Sequence, residues 1–216
     1  MNTNQLIDVL SANLEPVNHD RLGKTLILGM VTGGAAAFAV MLATVGPRTG
    51  LLSTIHLEWS AIKLLFSLSV VGMGSPLLIR SMRPSLEKET SWALVWFPFI
   101  VAMVAALVAL LFCRHQEWSK MLLGASTVSP ARCLLLIIFF SAIPLAALFW
   151  ALREGAPTRL KLCGTIAGVV AGGLGATAYV LTCRSDTMPF IAIWYGAAMA
   201  FCGFIGAQIG PRLLRW

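Results

Sequence analysis

The fold of this chain is decided by one stretch, Lys161-Leu-Cys-Gly-Thr-Ile-Ala-Gly-Val-Val-Ala-Gly-Gly-Leu-Gly-Ala-Thr-Ala-Tyr-Val-Leu-Thr-Cys183. Residues 162–182 carry no charge, and about 20 apolar residues in a helix cross the hydrocarbon of a bilayer. Small residues recur at every fourth position and so share one helix face, where another backbone can approach closely. We therefore predict a membrane span with a packing face formed by Gly164, Gly168, Gly172 and Ala176.

The composition places the rest of the chain in the bilayer as well. Of the 216 residues, 58% are hydrophobic and 12% are charged, and the mean hydropathy is +0.83. Such a chain has too little polar surface to cover a soluble globule. The apolar runs are continuous rather than alternating, which favours helices over a β-barrel. We expect an all-α integral membrane protein.

The formal net charge of +7 does not indicate a nucleic-acid partner. Lys and Arg are scattered singly through short loops, whereas a phosphate-binding surface needs a cluster of them. We therefore expect no direct contact with nucleic acid. Residues 1–20 contain three acidic side chains and no Lys or Arg, which is unlike a secretory signal, so we expect this N-terminal segment to be retained.

Six apolar runs predict six transmembrane helices, so that both termini lie on one side of the membrane. That side holds the larger share of the sixteen Lys and Arg residues, which predicts cytoplasmic termini. The chain then divides into a cytoplasmic tail, residues 1–23, and a membrane domain, residues 24–216. The predicted spans cover about 25–45, 61–79, 92–113, 133–152, 162–182 and 189–209.

The tail has the pattern of a short amphipathic helix. Leu6, Ile7, Leu10 and Leu14 fall at helical spacing, and Pro16 ends the helix soon afterwards. A helix of about three turns is marginal by itself in water, so it needs a surface that takes its apolar side. A lid resting on the membrane is one interpretation. The tail is acidic rather than basic, however, which fits a basic protein partner better than anionic lipid.

The five cysteines sort by their depth in the predicted bundle. Cys163 and Cys202 are interpreted as small packing residues, whereas Cys113, Cys133 and Cys183 lie at the outer ends of spans three, four and five. If Cys133 and Cys183 face each other, they can form a disulfide or transiently bind a soft cation. The flanking residues Arg132 and Arg184 add positive charge that favours thiolate. No CxxC spacing supports a resident metal, and we expect no cofactor.

Few other side chains offer chemistry. Lys63 lies about one turn inside span two, and we interpret it as a lysine that reaches the outer headgroups rather than a partner of Glu58 or a transport residue. Beyond it, nothing ionisable is clearly inside a span, as a proton- or ion-coupled transporter would require. No catalytic motif appears, so we expect that the chain is not an enzyme.

Several segments resemble one known family over essentially the whole chain, the NrsF-type membrane anti-sigma factors of bacteria. They are residues 1–10 with Glu15-Pro16-Val17, Cys133 with Ser141-Ala-Ile-Pro144, the turn 152–158, Tyr179-Val-Leu-Thr-Cys183, Phe190 with Trp194-Tyr195, and the terminal Arg212-Leu-Leu-Arg-Trp216. Two features depart from the family pattern: Ser85 follows Arg83-Pro84 where glycine is expected, and Cys113 is an extra thiol.

The resemblance implies a multi-pass protein of the bacterial inner membrane that holds an extracytoplasmic-function sigma factor and releases it under metal or oxidative stress. It also implies that Cys133 and Cys183 match a family cysteine pair facing the periplasm. We expect the tail to bind the sigma factor, with the loops around 80–91 and 152–161 as further contacts. The expected binding residues are Leu6, Ile7, Asp8, Leu10 and Leu14.

Two other functions stay open at this stage. The first is a small six-span transporter or channel for a soft metal ion. Its entry ligands would be Cys113, His115, Cys133 and Cys183. The second is a membrane thiol oxidoreductase, which would need a redox partner. The inducing signal, the release step, the oligomeric state and the pairing of the thiols are not specified by these patterns.

Overall fold

The computed structural model describes residues 19–48, 54–82, 92–113, 117–124, 129–155, 157 and 159–214. All regular structure within these ranges is helical, in agreement with the predicted all-α class. The five expected sigma-factor-binding residues of the tail, from Leu6 to Leu14, lie outside the described residues.

The helices are numbered here in chain order. A 3-10 turn, Trp92–Trp96, leads into α3, and α7 contains a π-helical segment, Ile191–Tyr195. Their bounds are α1 His19–Thr44, α2 Thr54–Ser81, α3 Phe97–Phe112, α4 Trp118–Leu123, α5 Pro130–Leu152, α6 Leu160–Tyr179 and α7 Met188–Leu213.

Six of these helices are long and apolar enough to cross a membrane, which confirms the predicted number of spans. They correspond to α1, α2, α3 with its 3-10 turn, α5, α6 and α7. The spanning segments are Leu22–Thr44, Leu57–Ser81, Ala93–Phe112, Pro130–Leu152, Leu160–Tyr179 and Met188–Leu213.

The end of α6 differs from the prediction, which placed it at residue 182. The helix ends at Tyr179, and the carbonyl of Tyr179 accepts the amides of Thr182 and Cys183 in the turn that follows. Val180 and Leu181 are apolar, so hydropathy does not mark this end. Cys183 therefore lies in the loop between α6 and α7 rather than at the last turn of a span.

The short helix α4 is a second difference from the prediction. It lies between predicted spans three and four, where the sequence predicts no helix. Two hydrogen bonds hold α4 beside the start of α7. The Thr187 hydroxyl donates to the Met121 carbonyl at 2.9 Å, and the Trp194 indole donates to the Leu122 carbonyl at 2.9 Å. The helix is thus fixed by partners more than sixty residues away, which local sequence does not reveal.

Helix α6 is the centre of the bundle. It packs against α1, α2, α5 and α7, and its contact with α7 is the most extensive in the structure. Within the apolar window of each span, 78% of residues are buried for α6, compared with 11% for α3. The glycine-rich stretch therefore forms the core, and α3 lies at the periphery against α2 and the start of α7.

Glycines bring α6 and α7 into backbone contact along a seam. A methyl group added to Gly164 would collide with the carbonyl oxygen of Gly206, and one added to Gly168 would collide with the carbonyl oxygen of Cys202. At Gly172 it would lie 3.0 Å from the Cα of Met199. Ala176, the last member of the predicted face, is fully buried.

The opposite side of α6 is packed nearly as closely, although the sequence predicts only one packing face. A Cβ at Gly175 would lie 2.7 Å from the amide nitrogen of Ser141 in α5. A Cβ at Gly173 would lie 2.8 Å from the side chain of Val71 in α2. The glycines of this helix therefore admit three neighbours, because no side chain separates the backbones.

Helix α1 uses the same device against α5. A Cβ at Gly33 would lie 2.8 Å from the Cα of Pro144, and one at Gly29 would lie 3.3 Å from the Ala147 carbonyl oxygen.

The bundle so formed has two ends. We call the end with residues 45–48, 63, 132–133 and 179–186 the thiol end, because it carries two cysteines. At the opposite end the Arg153 guanidinium donates to the Leu213 carbonyl at 3.1 Å.

Candidate functional site

Two buried thiols meet at the thiol end. Cys133 lies in the first turn of α5 and is 0% exposed, and Cys183 lies in the loop after α6 and is 1% exposed. Both are free thiols, and their side chains lie close enough to influence each other's protonation. The Cys133 sulfur is also 3.2 Å from the hydroxyl oxygen of Tyr179. The structure thus brings together the two cysteines proposed for redox or metal sensing.

The turn that ends α6 determines this geometry. Because the amide of Cys183 bonds to the Tyr179 carbonyl at 3.2 Å, the chain folds back over the helix end. The ring of Tyr179 packs near that of Tyr195 in α7, with centroids 6.4 Å apart. Both rings are buried, so aromatic surface from α6 and α7 borders the thiols on the membrane side.

A buried ionic network lies beside the thiols. The Lys63 ammonium pairs with the Asp186 carboxylate at 2.7 Å, and the Arg48 guanidinium pairs with the same carboxylate at 3.1 Å. Lys63 is 0% exposed, so the prediction that it reaches the headgroups is wrong. Its ion partner is Asp186, which follows it by 123 residues, rather than the nearby Glu58. A buried ammonium requires such a partner because desolvation of an unpaired charge is costly.

The same cations hold the loop that carries Cys183. Arg48 donates to the Cys183 carbonyl at 2.8 Å, and Lys63 lies 3.4 Å from that oxygen. The Arg48 amide donates to the Leu181 carbonyl at 3.0 Å, and the Thr182 hydroxyl donates to the Gly46 carbonyl at 3.1 Å. The position of one thiol is therefore fixed by contacts from the end of α1 and from α2.

These neighbours also set the protonation of the loop. The hydrogen bond with the Cys133 thiol lowers the pKa of Cys183, burial opposes this, and the Lys63 ammonium lowers the pKa further, to about 6. For Asp186, burial acts to raise the pKa, but the hydrogen bonds from Lys63 and Arg48 outweigh it, and the pKa lies below its ordinary value. A thiolate beside a thiol can attack an oxidant or bind a soft metal ion.

The remaining cysteines lie elsewhere. Cys163 accepts a hydrogen bond from Ser81 at 3.4 Å at the opposite end, and Cys202 lies 3.0 Å from the Ser141 hydroxyl. Cys113 follows the peripheral helix α3 and is partly buried. Among the residues described, no group of three or more His, Cys, Asp and Glu side chains can hold a metal ion.

Asp186 and Arg48 belong to the site, although neither was predicted from the sequence. Asp186 is the only acidic residue in the sequence after Glu154, and it lies in a short connection between two spans. A lone carboxylate in such a place could have been matched with the lone lysine of span two. Arg48 directly follows a Gly-Pro pair. Its partners are more than 130 residues away, so no local pattern marks it as part of the site.

Comparison with known proteins agrees with the resemblance noted in the sequence. The family model described as NrsF, negative regulator of sigma F, matches residues 10–216. A probable anti-sigma-F factor NrsF from Azospira oryzae is 29% identical over 216 residues, and an anti-sigma-F factor NrsF from Caulobacter vibrioides is 33% identical over 223; each match covers all of both chains.

No solved structure matches the chain. Both relatives are named as regulatory proteins, which agrees with the prediction that the chain is not an enzyme and favours a regulator over a metal transporter or a thiol oxidoreductase. The family match over residues 10–216 leads to one conclusion: this protein belongs to the NrsF family of negative regulators of sigma F.

Proposed function

We propose that this protein is a membrane-bound anti-sigma factor that sequesters a sigma factor of the extracytoplasmic-function type. The observation that carries the proposal is the family match over residues 10–216, supported by two full-length relatives named anti-sigma-F factors. Six apolar helices place the protein in a membrane, for which we propose the bacterial inner membrane. The bundle is then the anchor, and the partner is bound outside it.

The proposed binding surface is the cytoplasmic tail. Leu6, Ile7, Leu10 and Leu14 would supply the apolar stripe of a helix that folds on the sigma factor, and Asp8 would meet its basic surface. This orientation follows from the excess of Lys and Arg on the side of the termini. It places the thiol end toward the periplasm, on the far side of the membrane from the tail.

The proposed signal site is the pair Cys133 and Cys183. A peroxide would take two electrons and two protons from the thiols, a sulfur–sulfur bond would form, and the peroxide would leave as water. Alternatively, a soft metal ion would displace the thiol protons and bind both sulfurs. Either event breaks the hydrogen bonds of the pair and pulls on the loop that Arg48 and Lys63 hold.

The free energy available from chemistry at the thiol pair is of the order needed to release the sigma factor. Moving a two-state equilibrium from 1:99 to 99:1 needs about 5.5 kcal/mol of differential affinity. A disulfide typically changes stability by about 2–4 kcal/mol, and strain in the held loop adds to it. Because α6 runs from the thiol end to the opposite end through close backbone contacts, a shift at residues 179–183 is carried toward the cytoplasmic side.

The anti-sigma function is tested by co-purification of the sigma factor with the membrane protein. Replacement of Leu6, Leu10 and Leu14 by Ala removes the apolar stripe, and we expect the retained sigma factor to fall by at least tenfold. The matched control replaces Gln5 by Ala and Ala12 by Ser, on the opposite side of the same predicted helix, and should retain it. Unchanged retention in the Leu variant would remove the tail from the proposal.

The sensing function is tested by transcription of the target genes. In a strain with Cys133→Ser and Cys183→Ser, we expect no induction by peroxide or cadmium, because neither a disulfide nor a dithiolate can form. Cys163→Ser, at the opposite end, is the matched control and should leave induction intact. A normal response of the double variant to both agents would eliminate the thiol pair as the sensor.

A further inference from the structure

An open cavity beside the thiol pair is lined by arginine side chains. Its volume is about 270 Å³. Arg48, Arg132 and Arg184 line it, together with Tyr179 and Thr182 and an apolar edge from the end of α1 and from α5. No carboxylate is among the described residues of this lining.

The positive charge of this cavity exceeds what the neighbouring chain neutralises. Arg48 pairs with Asp186, but it shares that carboxylate with Lys63. Arg132 and Arg184 are exposed and add two further charges. The stretches that follow Arg48 and precede Arg132 in the sequence, residues 49–53 and 125–128, contain no Asp or Glu. Among the described residues of the lining, the guanidinium groups therefore outnumber the carboxylates, which favours binding of an anion from outside the chain.

One wall of the cavity is preorganised. Arg48 is 8% exposed, and its guanidinium is fixed by the Asp186 carboxylate and by the Cys183 carbonyl. Arg132 and Arg184 approach from α5 and from the loop after α6, so three separate elements contribute a guanidinium each. Guanidinium groups bind phosphate and similar oxyanions in a two-pronged geometry, and a fixed group loses less entropy on binding.

The cavity lies at the ends of three helices, which bears on the source of the ligand. The cavity lies where α1 ends at Thr44, where α5 begins at Pro130 and where α6 ends at Tyr179. In a spanning bundle the ends of the helices lie at the level of the lipid headgroups. We propose that this cavity binds a tetrahedral phosphate-type oxyanion, supplied either by free inorganic phosphate or by the headgroup of an anionic phospholipid. The inference does not rest on the proposed sigma-factor function.

The test uses the full-length protein, purified in a maltoside detergent without phosphate and at about 150 mM salt, so that long-range attraction is screened. One arm measures equilibrium binding of radiolabelled inorganic phosphate. The other adds phosphatidylglycerol to the micelles and counts retained lipid by native mass spectrometry. Saturable binding in the first arm identifies a small-anion site, and binding only in the second identifies a headgroup site.

The variant Arg132→Ala with Arg184→Ala should weaken this binding roughly tenfold or more, because two charge-assisted contacts are lost. The control Lys120→Ala removes an exposed cation of α4 outside the cavity and should bind like the parent protein. Melting temperatures of both variants show that the bundle is intact. Absence of binding in both arms, or an equal loss in the Lys120 control, would overturn the proposal.

Discussion

At the scale of single residues, Asp186 is the centre of the thiol end. Its carboxylate pairs with both a fully buried lysine and a nearly buried arginine, and those two cations in turn hold the Cys183 carbonyl. A substitution at this one position therefore changes the charge balance of the site and the anchoring of the loop together.

We predict that Asp186→Asn lowers the free energy of unfolding by about 3 kcal/mol, because Lys63 would stay buried without an anion. Thermal or denaturant unfolding in detergent measures the change. The matched control is Glu58→Gln, an exposed carboxylate one turn before Lys63, which should change stability by less than about 0.5 kcal/mol. If the two variants were equally stable, the network would contribute nothing. Adding Lys63→Met to Asp186→Asn should recover part of the loss, because the unpaired charge is gone.

Residue identities in the site were only partly predictable. Depth in the predicted bundle and resemblance to a family single out Cys133 and Cys183, and the structure brings both thiols to the same buried site. The pairing of Lys63 with Asp186 was missed, because membrane burial is usually read from one helix at a time. An ion pair across 123 residues depends on how α2 meets the loop between α6 and α7, and no local spacing encodes it.

At the scale of helices, the seam between α6 and α7 is the strongest packing feature. Its glycines touch backbone atoms rather than side chains, so an added methyl group cannot be accommodated by a rotamer change. Van der Waals contact at such seams is a principal source of helix association in lipid. The seam is therefore where a one-carbon change should have a measurable effect.

We predict that Gly168→Ala lowers the free energy of unfolding by about 1–3 kcal/mol, because its Cβ would collide with the Cys202 carbonyl oxygen. The control is Gly72→Ala in α2, where an added Cβ would meet nothing within 4 Å. Both substitutions raise helix propensity equally, so that contribution cancels. Equal melting temperatures for the two variants would contradict the predicted contribution of the seam to stability.

Helix number and type followed directly from hydropathy, because long uncharged runs admit no other structure in a bilayer. The positions of the helix ends did not follow from hydropathy. The α6 helix stops at a turn within apolar sequence, and α4 exists because Thr187 and Trp194 bind its carbonyls. The first feature involves local turn hydrogen bonds and the second involves tertiary hydrogen bonds, and hydropathy reports neither.

At the scale of the whole molecule, the proposal depends on orientation, with the thiol end toward the periplasm. We predict that Ser119→Cys in α4 is labelled by a membrane-impermeant maleimide on intact spheroplasts, whereas Arg153→Cys is not. Both positions are exposed, and they lie at opposite ends of the bundle. Each is introduced with Cys113→Ser to remove a partly exposed native thiol.

Inverted vesicles provide the reciprocal measurement. There Arg153→Cys should react and Ser119→Cys should not. The reverse pattern in both preparations would place the thiols on the same side as the target sigma factor, and a signal from the periplasm would have no route to them.

The seam between α6 and α7 also has a consequence for biosynthesis. Helix α7 follows α6 in the chain and therefore enters the membrane after it. Until then a nascent chain holds its most glycine-rich helix in the membrane without the neighbour that it fits most closely. The core thus closes only after α7 has been inserted, and a chain truncated before α7 yields a product that membrane quality-control proteases should recognise.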